Sequence, residues 1–116
     1  MKNMILDEKF LNSISFFDNI LLLDSFENIK KTYNMSIDYF KRENYYLLKL
    51  NIKENNINLI TTECKLNNKL NGGIVISNLI SLVTSKYNND LIVDVKEIDN
   101  NNKCVKFGRR TYNAKN

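Results

Sequence analysis

The sequence predicts an α+β domain in which N-terminal helices are followed by a further helix and a C-terminal β-hairpin. Three observations carry this expectation. Over residues 74 to 87, Val75, Ile76, Leu79, Ile80, Leu82, Val83 and Tyr87 gather on one side of a helix at about 100° per residue, with Ser77, Asn78, Ser81, Thr84 and Ser85 opposite. Leu91, Val93 and Val95 then begin an alternation that runs to Ile98. It resumes in Lys103-Cys104-Val105-Lys106-Phe107 after Asp99-Asn100-Asn101-Asn102, whose side chains tolerate left-handed turn backbone. Finally, the charge is lopsided. No acidic residue follows Asp99, whereas Lys103, Lys106, Arg109, Arg110 and Lys115 do, so residues 1–102 carry −1 and the tail +5 of the formal +4.

In chain order, Asp7 can cap a helix whose stripe is Phe10, Leu11, Ile14, Phe17, Ile20 and Leu21, ending near Leu23. Phe16, Leu22 and the run Ile20-Leu21-Leu22-Leu23 exceed what one core face needs. Two uses are open for the excess: a central core helix, or a dimer contact. Asp24-Ser25 can cap a second helix with Phe26, Ile29 and Tyr33, and Ser36 a short third turn with Tyr39 and Phe40. From Tyr46, Leu48, Leu50 and Ile52 alternate with Lys49, Asn51 and Lys53, which is a half-buried strand closed by Glu54-Asn55-Asn56. Residues 57–66 read either as a helix, with Ile57, Ile60 and Cys64 in a stripe, or as a strand forming a hairpin with 46–53. Residues 67–73 read as a loop, with Gly72-Gly73 leading into the 74–87 helix; the Lys-Ser/Thr of a P-loop is missing.

Composition excludes several chemistries. At 116 residues the chain supports one core and is expected to form a single domain, 1–44 helical and 45–116 carrying the hairpin. Asn occupies 21 positions and Ala only position 114, a bias of AT-rich coding that weakens arguments built on Asn; Arg, with three occurrences, is the informative residue. Without His there is no Ser-His or Cys-His pair and no His metal site. Cys64 and Cys104 lack paired zinc-ligand spacing and are expected as buried thiols, a disulfide between them being the alternative. No cofactor and no metal are expected. Met1 to Leu6 shows no signal-peptide core and no run is long enough to span a membrane, so a cytoplasmic protein is expected.

A Ser/Thr/Asn-faced helix beside a basic hairpin is a footprint of nucleic-acid binding. The candidate DNA-binding residues are Ser77, Asn78, Ser81, Ser85 and Lys86 on the helix and Lys103, Lys106, Arg109 and Arg110 on the hairpin. The bland readings are a helix packing small residues against a neighbour and a strand edge guarded by lysines. If 57–66 is helical, the order from Ser25 resembles the winged helix-turn-helix, with 74–87 in the recognition position and 99–103 at the wing tip. The run Ser77-Asn78-Leu79-Ile80-Ser81-Leu82-Val83, the Leu91–Ile98 strand and Gly108-Arg109-Arg110 are similar to winged-helix DNA-binding proteins of plasmids and phages, TubR-like partition and TcpK-like relaxosome proteins among them. That resemblance implies a non-enzymatic homodimer on short double-stranded DNA repeats, serving as regulator or as adaptor to a larger segregation or transfer protein.

The alternative is a small protein-binding module, such as a phage or viral inhibitor of a host factor, with an α+β fold and a four-stranded antiparallel sheet. It gains if 57–63 pairs with 46–53, because the helix-turn-helix then disappears. An enzyme would have to use Asp94, Glu97 and Asp99, which have no partner motif to complete a site.

Overall fold

Residues 32–66 enter and leave the core with period two, the alternation of strands. The computed structural model describes residues 8–26, 30–67 and 69–115. Helix α1 (Glu8–Phe26) precedes three strands, β1 (Thr32–Lys41), β2 (Tyr46–Glu54) and β3 (Ile57–Leu66). Helix α2 (Lys69–Ser81) continues as a π-helical turn over Leu82–Lys86, and β4 (Asp90–Ile98) and β5 (Cys104–Tyr112) close the chain. The strands form one mixed sheet in the order β3-β2-β1-β4-β5; β1 and β4 run parallel and every other pair is antiparallel.

The helices share one face of the sheet. Tyr33, Met35, Ile37 and Tyr39 of β1, Leu48, Leu50 and Ile52 of β2, Ile60, Cys64 and Leu66 of β3, and Leu91 and Val93 of β4 are buried beneath them. Phe17 and Leu21 of α1, and Val75, Leu79, Val83 and Tyr87 from α2 and its π turn, complete this core. Phe17 meets the edge of Tyr33 at 5.4 Å between ring centroids, which docks α1 on β1. Gly72 is a point of close approach. A Cβ there would lie 2.6 Å from Tyr39 Oη and 2.8 Å from Leu66 Cδ1, so only glycine lets the first turn of α2 sit this low on the sheet.

The winged helix-turn-helix expectation fails on this architecture. Residues 32–41, expected within the N-terminal helices, are strand β1, because Tyr33, Met35, Ile37 and Tyr39 all have to point at the helices. Asp24 and Ser25 lie inside α1, while Asp7 and Ile29 lie outside the described residues. Residues 57–66 are strand β3, paired with β2 from Glu54↔Ile57 to Tyr46↔Leu66. Asn55 (φ 50°) and Asn56 (φ 67°) supply the left-handed pair of a two-residue hairpin turn, whose twist matches that of the strands it joins. With no helix at 57–66 there is no helix-turn-helix, and the 74–87 segment has no recognition-helix position. The division at residue 44/45 also falls away, since β1 and β2 are neighbours in one sheet. The alternative fold is corrected too: the sheet has five strands and is mixed.

Other expectations stand, with adjusted limits. Strand β2 and the β4–β5 hairpin are where the alternation puts them. The central helix starts earlier than expected, at Lys69, and absorbs both glycines, so the 67–73 loop shrinks. Cys64 is buried as expected but Cys104 is exposed, and neither is in a disulfide. Among the described residues no helix is long and apolar enough to cross a membrane.

Candidate functional site

The β4–β5 hairpin is held by its turn. Asp99 Oδ1 accepts from the backbone N–H of Asn101 (2.8 Å) and of Lys103 (3.0 Å), and Asn102 takes the left-handed conformation (φ 61°). A register shift at Glu97/Ile98 marks a bulge just before the turn. Past the strand, the chain is tied back to the sheet and helix: Ala114 N–H donates to Asp90 Oδ1 (2.7 Å) and Lys115 N–H to the Thr84 carbonyl (3.0 Å). Both ends of β5 are thereby fixed, yet the strand between them is bare. It is the last strand of the sheet, and each of its residues is exposed apart from half-buried Tyr112.

Strand pairing assigns the basic residues to different faces. Arg109 lies opposite Asp94 on the face away from the helices and grips it with two of its three nitrogens, Nε to Oδ1 at 2.5 Å and Nη2 to Oδ2 at 3.0 Å. Asp94 raises the guanidinium's pKa further by this hydrogen-bonded pairing. On that face a groove of about 440 Å³ runs from Ser36 and Asp38 across Asp94 and Lys96 to Phe107 and Arg109. Its carboxylates and cations alternate between strands, Asp38 standing beside Lys49 and Lys96, and Asp94 beside Arg109. Such a face is a charge-compensated, solvated sheet surface.

Lys106, Gly108, Arg110 and Tyr112 take the helix side of β5, opposite Glu97, Val95, Val93 and Leu91. Lys106 Nζ stands 3.9 Å from Glu97 Oε2, and the Arg110 guanidinium lies 5.4 Å from the centre of the Tyr112 ring. The helices stop short of this strand, leaving a groove of about 320 Å³. Ile76 and Ile80 of α2 form one wall, Val93 and Val95 the floor, and Gly108, Arg110 and Tyr112 the outer rim.

The structure thus divides the residues expected to bind DNA. Ser77, Asn78 and Ser81 are exposed on the outer side of α2, and Ser85 and Lys86 are exposed in the π turn. Lys86 Nζ is 3.8 Å from Asp18 Oδ1 of α1, and Asp18 also raises the pKa of Tyr87 by a hydrogen bond. Lys103 is exposed at the hairpin tip. Arg109 is separated from the α2 residues by the thickness of the sheet, whereas Lys106 and Arg110 share the helix side with them. What the sequence reading missed is Gly108 and the α2 wall: Gly108 sits at the centre of β5 without a positive φ, and Ile76 and Ile80 read only as core.

The carboxylates considered for catalysis are engaged otherwise: Asp94 with Arg109, Glu97 with Lys106 and Asp99 in its own turn. Among the described residues no group of three or more Asp, Glu, Cys or His side chains could hold a metal ion. The α1 side chains for which a dimer contact was one use, Phe16, Leu22 and Leu23, are 53%, 55% and 65% exposed. Comparison of the chain with protein-family models, with curated proteins and with solved structures finds no match.

Proposed function

We propose that this protein is a non-catalytic binding module that takes an acidic, extended segment of a partner protein onto the free edge of β5. The observation that carries the reading is an edge strand of nine residues, uncovered among the described residues and clamped at both ends, carrying Lys106, Arg109 and Arg110 beside exposed Val105 and Phe107. An open edge offers a row of backbone N–H and C=O groups, and an incoming strand satisfies them while its side chains are read alternately on the two faces. Charge chooses the partner. Antiparallel pairing of two copies of β5 about Gly108 would set Lys106 of each against Arg110 of the other, a like-charge juxtaposition that disfavours this self-pairing. An acidic strand meets no such penalty, and Lys106 and Arg110 on the helix side of β5 attract it.

The test is titration of the isotope-labelled full chain with a nine-residue acidic peptide of strand-forming composition and, separately, with duplex DNA, followed by backbone amide resonances. Peptide-induced shifts and slowed amide exchange confined to Cys104–Tyr112 and its β4 neighbours, weakened by salt and by Lys106→Glu/Arg110→Glu, support the reading. Two results overturn it: no response of β5 to peptide, or a response to duplex alone centred on Ser77, Asn78, Ser81 and Ser85.

A further inference from the structure

Gly108 is a glycine that the fold itself does not require. Its φ is not positive, it lies mid-strand, and a Cβ built on it would meet nothing within 4 Å. In such a place glycine weakens a strand, because it lacks a side chain to pack and loses more backbone entropy than any other residue. Turn geometry and internal crowding, the usual reasons for glycine, are both absent. The reason left is access: at Gly108 the outer rim of the groove between α2 and β5 drops to backbone level, while Arg110 and Lys106 stand at the positions two residues to either side on the same face.

Building on the strand-addition reading, we infer that the groove receives one large apolar side chain of the incoming strand, at the position that pairs opposite Gly108. The residues two before and two after it on that strand face Lys106 and Arg110 and are carboxylates. The recognised pattern is acidic, any, large apolar, any, acidic, and being symmetric it suits either strand direction. Each part has its complement in the structure. Ile76, Ile80, Val93 and Val95 line an apolar slot, and 320 Å³ is at the small end of ligand pockets, sized for one side chain with its surroundings. Arg110 is held by Tyr112 rather than by a carboxylate, and Lys106 keeps only a long contact to Glu97 with its side chain 74% exposed, so both cations remain able to meet a partner's acid.

The experiment compares three blocked nine-residue peptides on the full chain by calorimetry and amide shifts: centres Glu-Thr-Phe-Thr-Glu, Glu-Thr-Asn-Thr-Glu and Lys-Thr-Phe-Thr-Lys. The Phe-centred acidic peptide is expected to bind at least tenfold tighter than either other, with shifts at Ile76, Ile80 and Gly108. Gly108→Val, whose Cβ has open space and whose γ-methyls raise the rim of the slot, is expected to retain or raise the melting temperature and to erase the Phe-over-Asn preference. Lys106→Glu/Arg110→Glu is expected to turn preference toward the Lys-flanked peptide. If both acidic peptides bind β5 equally and Gly108→Val changes nothing, the slot assignment is overturned while strand addition stands. If no peptide moves β5, both fall.

Discussion

Substituting the two adjacent glycines of α2 by alanine is expected to move stability in opposite directions. Within a helix, alanine is favoured over glycine by about 0.5–1 kcal/mol, since glycine has more backbone freedom to lose. At Gly73 nothing lies within 4 Å of the new methyl, so Gly73→Ala keeps this gain, somewhat reduced near the helix start. At Gly72 the methyl would stand 2.6 Å from Tyr39 Oη and 2.8 Å from Leu66 Cδ1. Leu66 is wholly buried and Tyr39 is 4% exposed, so neither swings freely aside. Overpacking of this kind typically costs about 1–3 kcal/mol, which outweighs the propensity gain and leaves a net loss of about 1–2 kcal/mol. For 116 residues, 1 kcal/mol corresponds to about 4 °C in melting temperature. Gly73→Ala should therefore melt a few degrees higher and Gly72→Ala several degrees lower, with unchanged m-values in urea. Equal shifts of the same sign would refute the argument that Gly72 is required by the seating of α2 on β1 and β3.

The remaining expectations test other parts of the fold. Burial, helped by the nearby negative charge of Cys64 and Glu97, pushes the Tyr39 hydroxyl up to about 12, so between pH 10 and about 12 the unfolded chain loses this proton before the native state does. Stability should fall across that window and be level in this respect below it, and in alkaline denaturation Tyr39→Phe should show a shallower decline; an identical slope would contradict the shift. Asn56 has φ 67°, so Asn56→Ala is expected to lose about 1 kcal/mol in urea unfolding while Asn56→Gly is neutral or gains; a harmless alanine would argue against the left-handed hairpin turn. An aromatic disulfide reagent should modify exposed Cys104 in the native protein and buried Cys64 only as fast as the chain opens, read by the absorbance of the released thiol. Two thiols reacting at one fast rate would place Cys64 outside the core.

By itself the sequence determined those elements whose pattern and boundaries are both local. The β4–β5 hairpin could be read from alternation about a polar turn, β2 from Leu48, Leu50 and Ile52, and the existence of the central helix, though not its start at Lys69, from the stripe over 74–87. The concentration of positive charge in the last strand was also plain, because charge counts need no geometry. Strand β1 carried a readable period-two signal in Tyr33, Met35, Ile37 and Tyr39, but Phe40 and the capping residues Asp24, Ser25 and Ser36 fitted helical spacing equally well. Residues 57–66 were undecided because Ile57, Ile60 and Cys64 fit a helical stripe while Ile57, Leu59, Thr61 and Thr62 favour a strand. Pairing with Leu48, Leu50 and Ile52 decided it, since only the strand places four consecutive inward side chains under α1.

Tertiary structure alone decided which face each basic residue occupies. Sequence neighbours Arg109 and Arg110 were expected to act together, yet adjacent strand residues point to opposite sides of a sheet. Arg109 is consumed by Asp94, and Arg110 is left at the rim of a groove whose far wall comes from α2, some thirty residues earlier. The meaning of Gly108 is of the same kind. That it is an opening depends on where α2 stops short of β5 and on the strand order that leaves β5 outermost. Local periodicity specifies elements, whereas the gaps between elements follow from packing among residues far apart in the chain.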